Sequence, residues 1–410
     1  MGFLLAILGL FVFTLILAGG VAAGWGVALG LKPYLAHGDL RLLAGTAVCW
    51  LVVFGLFWLL RAVRVLKPEE RPPGGRWRLA VRIMAWLAVA LLGCYAVGRA
   101  LAPFEAVQLR GPESAASAAA ASEAPAAQAK PAEPDARAAA GRRTLRIAAY
   151  NIAHGRGTAA SNFQGGTPRD RENRLVRIAQ MLAGLDLDVV VLNEVDFQSL
   201  WSGNVDQARA VAERAGFPYR VEQRNVDAGL PRFRIRFGNA VLSRFPISKA
   251  ERVDYPGRSW WETLLAGKKQ GVVCTVDLPW GEQVRVLAVH LEHRDAATRR
   301  AAARVIADLK QSGGPPLVAA GDFNSTRPGF PDATPDEDGH TALSLVLDAG
   351  FTALPEQQPL ARELTFSSTE PRQVIDWVLV PEPWRSASHE VLATVLSDHR
   401  LVAETIEMGH

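Results

Sequence analysis

Hydrophobic and polar positions divide this chain into two unlike parts. From Phe3 to about Ala23, from Leu42 to Leu60 and from about Ile83 to Ala102 the sequence is almost unbroken in apolar residues. Each run comes close to the roughly 20 residues that a helix needs to cross a ~30 Å hydrocarbon core, so residues 1–102 read as three transmembrane helices. The first run lacks the charged leader of a secretory signal and exceeds its usual apolar length, and is read as a span. From 103 to 143 the pattern disappears. Segments such as Ser114-Ala-Ala-Ser-Ala-Ala-Ala-Ala-Ser-Glu and Lys130-Pro-Ala-Glu-Pro offer nothing large to bury, which predicts a disordered linker.

Residues 144–408 behave differently, with short β-rich runs alternating with helical periodicity. Strands are expected at Leu145 to Ala149, Val189 to Leu192, Ala240 to Ser243, Val272 to Val276, Val284 to His290, Leu317 to Ala320, Val374 to Val380 and Leu401 to Thr405. Helices are expected at Arg171 to Ala183, Asn204 to Ala215 and Ala296 to Gln311. The mixture is α/β, with strands packed in layers between helices, in one domain large enough to bury a full core.

Charge sets an orientation but selects no partner. Lys and Arg number 45 against 41 Asp and Glu, and a net +4 is too small an excess to imply nucleic acid. The loop between the second and third spans holds Arg61, Arg64, Lys67, Arg71, Arg76 and Arg78, whereas the first loop has only Lys32 and Arg41. Positive loops stay in the cytoplasm, so the N-terminus is expected inside and everything after Ala102 on the far side of the membrane. In a bacterial cell this is the inner membrane with a periplasmic domain. The three cysteines, Cys49, Cys94 and Cys274, are too few and too scattered for a disulfide framework or a cysteine zinc site.

Several expected strands end on polar groups: Asn151, Asn193-Glu194, His290, Asp322 to Asn324 and Asp376. Polar groups at strand ends over a packed sheet are where α/β folds bind ligands. The available chemistry is carboxylate (Glu194, Asp322, Asp376, Asp398), amide (Asn151, Asn324) and imidazole (His290, His399). Hard oxygen donors without thiolates suit Mg²⁺ or Mn²⁺, and the set describes metal-assisted attack of an activated water on a phosphate ester. His154 and Arg156, in a loop flanked by Gly155 and Gly157, are positioned by sequence to reach phosphate; His293, three residues past His290, reads as a solvated neighbour.

Seven motifs occur in one order. They are Ala-Tyr-Asn151-Ile-Ala-His-Gly, Val-Leu-Asn-Glu194-Val-Asp, Gly238-Asn239 before Ala-Val-Leu-Ser, Ala-Val-His290-Leu, Gly321-Asp322-Phe323-Asn324, and Ile375-Asp376-Trp377 followed by Ser397-Asp398-His399-Arg400. Over about 144 to 408 this series resembles the endonuclease/exonuclease/phosphatase superfamily. The resemblance implies two β-sheets stacked face to face between helices, a four-layer sandwich. It also implies Glu194 as principal metal ligand with Asn151 and Asp398, and Asp322 orienting or deprotonating water with Asn324. His399 held by Asp376, together with His290, would stabilise the phosphoryl oxygens, with Asn239 near substrate. Some members carry an acid two residues after the first Asn; this chain has Ala153 there.

The substrate stays open between a phospholipid headgroup, nucleic acid and a phosphomonoester. Arg232 to Phe237 alternates basic and aromatic residues, and Arg258 to Lys269 joins Trp260-Trp261 to a basic tip. Such segments serve base stacking with phosphate tracking or interfacial anchoring at a membrane, and Arg232 to Phe237 reads most simply as an alternating strand. A non-catalytic binding module of the same fold is the other class, although no motif acid or imidazole is missing.

Overall fold

The computed structural model describes residues 106–112, 143–230, 233–257 and 269–409, all within the unit Phe104–His410. The three expected spans, most of the linker and Trp260-Trp261 lie outside them. Among the described residues no helix is long and apolar enough to cross a membrane.

Two mixed sheets form the core. The first orders its strands β1 (Val107–Arg110), β4 (Tyr219–Leu230), β5 (Phe233–Ser243), β3 (Val189–Asp196), β2 (Thr144–Asn151), β13 (Leu401–Glu407), β12 (Arg385–Leu392). The second orders β10 (Phe351–Thr352), β11 (Asp376–Pro381), β9 (Leu317–Asp322), β8 (Gln283–His290), β7 (Gln270–Asp277), β6 (Ile247–Asp254). Period-two alternation decides which side of each strand faces inward. In β2, Leu145, Ile147 and Ala149 meet Val286, Val318 and Val378 of the other sheet. Ala148 and Tyr150 point the other way, toward Leu175, Ile178 and Leu182 of α1 (Pro168–Gly184) and Val211 of α2 (Gln207–Ala215). On the far side, Leu287, Ala319 and Leu379 pack against Ala302 and Ile306 of α3 (Ala296–Gln311) and Leu343 of α4 (Ala342–Leu347). The result is the expected four layers.

Each sheet holds one parallel pair closed by a helical crossover: β2 with β3 through α1, and β8 with β9 through α3. Parallel partners finish at the same end. Asn151 is thereby opposite Asn193 and His290 opposite Asp322, and the motif residues of both sheets gather at one edge of the sandwich.

Boundaries shifted where caps or side chains intervene. Helix α1 begins before Arg171 because Thr167 and Asp170 form a reciprocal capping box ahead of Pro168. Helix α2 starts at Gln207, not Asn204, since Asp206 caps it by accepting from the Arg209 N–H. The strand expected from Val374 begins at Asp376, because Thr365 Oγ1 takes the N–H groups of both Ile375 and Asp376. Within the stretch read as linker, Val107–Arg110 is instead strand β1, antiparallel to β4. Its short apolar-polar alternation suffices at a sheet edge.

Candidate active site

Asp322 lies at the centre of the gathered residues. It is almost fully buried at the end of β9, where the Asn324 N–H donates to Oδ1 (2.8 Å) and the Asn151 amide donates to Oδ2 (3.1 Å). That same Oδ2 is 3.6 Å from His290 Nε2 and 3.9 Å from His399 Nε2. His399 turns its other nitrogen, Nδ1, to Asp376 Oδ2 at 2.9 Å. Burial alone would discharge this ring, but the Asp376 carboxylate and its hydrogen bond raise His399 to about 10. Burial raises the Asp322 carboxyl to about 6, against the pull of His399 and with the push of Asp376. His290 is driven well below the ordinary imidazole value by burial and then by Lys269, whose Nζ contacts its Nε2. The two rings expected to act alike therefore differ: His399 is cationic and His290 neutral.

Glu194 occupies a bulge. The pairing of β3 with β5 slips between Asn193 and Val195, and Glu194 takes a left-handed φ of 52°. Bulges re-aim a side chain, and a non-glycine residue in this region is strained. The redirected carboxylate meets His154 Nε2 at 3.4 Å and Arg156 Nη1 at 3.1 Å, with His290 Nε2 at 3.8 Å. Burial raises its pKa, yet His154, His290, Lys269 and Arg156 together hold it well below the usual carboxylate range. Arg156 extends its second nitrogen, Nη2, to Asp398 Oδ2 at 2.6 Å. Glu194 and Asp398, expected as metal ligands from distant parts of the sequence, are thus two ends of one guanidinium bridge.

Other expected residues are placed differently. Asn151 faces Asp322, and its Oδ1 accepts the N–H of Ala153. The ring of His154, expected near phosphate, is buried, with Nδ1 2.8 Å from Asp196 Oδ1 and edge contacts to Trp201 and Phe237. Asn239, expected near substrate, is enclosed by protein partners. It is fully buried, donates to Gln223 Oε1 and the Gln270 carbonyl, and accepts from Asn193. His293 is exposed, as expected of a solvated neighbour, and pairs with Arg294 and Glu292.

Three residues to which the sequence reading gave no role of their own support the site. Asp196 holds the Glu194-facing His154 and also accepts from Trp201 Nε1; its signal was an acid at period two from Glu194 inside a strand. Asn193 stitches the sheets, donating to the Val289 carbonyl (2.9 Å) and accepting the Asp322 N–H (3.0 Å). In the sequence Lys269 is the tip of a basic segment, and no local pattern points it at His290.

Among the described residues, two donor sets could hold a divalent ion. Ligand atoms of Asp322, Asp376 and His399 lie within 4.8 Å of one another. A protonated His399 has no lone pair to give, so this set is poor while that ring keeps its charge. The pair Glu194 and Asp398 offers hard oxygens, partly exposed, already bridged by a cation. That chemistry fits Mg²⁺ or Mn²⁺.

Comparison with known proteins agrees with the motif series. The family model described as the endonuclease/exonuclease/phosphatase family matches residues 148–399. No curated protein matches the chain. Similar solved structures include an endonuclease/exonuclease/phosphatase from Beutenbergia cavernae DSM 12333, at 20% identity over 65% of this chain and 72% of that one, with a TM-score of 0.47. The mannosyl-6-phosphatase of Bacteroides thetaiotaomicron VPI-5482 matches at 18% identity over 64% of this chain and 100% of its own, with a TM-score of 0.43. Sphingomyelinase C from Streptomyces griseocarneus matches at 20% identity, 64% and 99% coverage and a TM-score of 0.41.

Proposed function

The chain belongs to the endonuclease/exonuclease/phosphatase family, whose members hydrolyse phosphate esters, and we propose that it is a membrane-anchored, Mg²⁺- or Mn²⁺-dependent phosphodiesterase. The observation that carries the reading is Asp322 set among Asn151, His290 and His399, beside Glu194 and Asp398. Glu194 and Asp398 would hold the divalent ion, which when bound supplies Lewis-acid polarisation of a phosphoryl oxygen. Asp322 takes the proton of the attacking water: a carboxyl raised to about 6 is ionised at neutral pH yet basic enough to accept it. Asn151 and the Asn324 N–H fix the direction of its two oxygens. His399, kept cationic by Asp376, donates from Nε2 to a non-bridging oxygen as charge builds there. His290 stays neutral, and the positive charge on its flank comes from Lys269.

For substrate, a phospholipid headgroup diester is favoured. Three apolar runs with a basic second loop support an anchor with its N-terminus in the cytoplasm and its catalytic domain on the periplasmic or extracellular face, next to lipid headgroups. Of the two basic-aromatic segments behind a nucleic-acid reading, one is weakened, because Arg236 is committed to Asp227 at 2.8 Å. A parallel assay with Mg²⁺ on phosphatidylinositol, sphingomyelin, single- and double-stranded DNA and a phosphorylated inositol, with Glu194→Ala as control, tests the reading. Headgroup release by the unaltered chain alone is expected. Cleavage of DNA instead makes this an anchored nuclease, and inactivity on every substrate leaves a binding module.

A further inference from the structure

Arg156 has no place in the water-activating chemistry, yet its guanidinium sits between the two acids assigned to the metal. Nη1 is 3.1 Å from Glu194 Oε2 and Nη2 2.6 Å from Asp398 Oδ2, so one planar cation spans both carboxylates. Its position is built and not incidental. Nε donates to the Ala159 carbonyl at 2.9 Å, Nη1 also reaches Asn162 Oδ1 at 3.3 Å, and the side chain is only 14% exposed. The loop carrying these partners is itself pinned, because buried Arg171 donates to the carbonyls of Asn162 and His154. Gly165 packs against the Arg156 backbone so closely that a Cβ there would collide with it.

A dication held by these two acids would bring its charge against the guanidinium that already spans them, so ion and guanidinium repel each other and compete for the same two carboxylates. We propose that Arg156 is a tethered competitor for the divalent ion: it neutralises Glu194 and Asp398 when no metal is bound, and metal enters only by displacing it. The Ala159 and Asn162 contacts keep the displaced guanidinium close enough to return. This inference rests on the reading of Glu194 and Asp398 as metal ligands.

The test is calorimetric titration of Mg²⁺ and Mn²⁺ into the full, chelator-stripped chain, comparing wild type with Arg156→Gln and Arg156→Lys. Arg156→Gln is expected to bind roughly tenfold or more tightly, because a competing charge within hydrogen-bond reach is gone. Arg156→Lys, which keeps the charge but cannot span both acids, should fall between the two. Equal or weaker binding by Arg156→Gln overturns the proposal and leaves the metal assignment standing; absence of binding in every form overturns both. A readout needing no folded variant is the Nε–H resonance of Arg156 in the wild-type protein. It should move on metal addition, and a resonance that stays fixed while metal binds overturns the displacement.

Discussion

Asp322 and Asp376 are register partners on the antiparallel strands β9 and β11, so two buried carboxylates share one edge of a sheet. Such a pair is tolerated because His399 stands between them, bonded to Asp376 through Nδ1 and 3.9 Å from Asp322 through Nε2. Asp376 keeps the ring charged, and the charged ring lets Asp322 ionise.

From this coupling comes a pH profile. Activity should rise as pH increases through about 6, where Asp322 loses its proton, and fall above about 10, where His399 loses its own. Asp376→Asn should bring the alkaline limb down toward the ordinary imidazole value of about 6.5. The same raised pKa stabilises the fold below that value and is lost as pH climbs through about 10. A kcat/KM profile of both proteins decides it; an alkaline limb that does not move removes Asp376 from control of His399.

Removing the base and removing the cation should differ in degree. Asp322→Asn is expected to lower kcat by about 10³-fold or more, and His399→Ala by about 10²-fold or more. Both should leave the far-ultraviolet circular dichroism unchanged. A drop under twofold in either case excludes that residue from the reaction.

Gly321 precedes the base with a φ of 139°, and a Cβ there would run into the Val289 carbonyl oxygen and Asn193 Oδ1. Gly321→Ala should therefore cost about 3 kcal/mol through the broken inter-sheet stitch as well as backbone strain. Chemical denaturation measures this. A loss under about 0.5 kcal/mol, the usual surface level, would show that the stitch does not bind the sheets.

The layers were legible in the sequence because strands such as β2, β3 and β9 are buried on both faces and read as apolar runs. Strand β6 was not, since only Ile247 and Val253 of its eight residues are buried, and β12 has no fully buried residue at all. Solvated edge strands lack the periodicity that a reader looks for. Motif spacing also singled out Glu194, Asp322, His290 and His399, which the fold brings close together. It did not show the burial of Asn239 and His154, because a polar residue beside a motif looks the same whether it is exposed or meets a buried partner. Lys269 reaches the site only through pairing of β7 with its neighbours, a relation that no local window contains.

Topology can be examined apart from catalysis. A reporter fused after His410 should report a non-cytoplasmic location, given Arg61 to Arg78 in the loop between the second and third expected spans. Strong cytoplasmic reporter activity would reverse the orientation.

Hydrolysis of bis(p-nitrophenyl) phosphate by the purified chain reports whether the reaction depends on a divalent ion held by Glu194. Activity should vanish in EDTA, return with Mg²⁺ or Mn²⁺, and be lost in Glu194→Gln whatever metal is added. Undiminished hydrolysis in EDTA, or by Glu194→Gln, would show that no divalent ion at Glu194 takes part in the reaction.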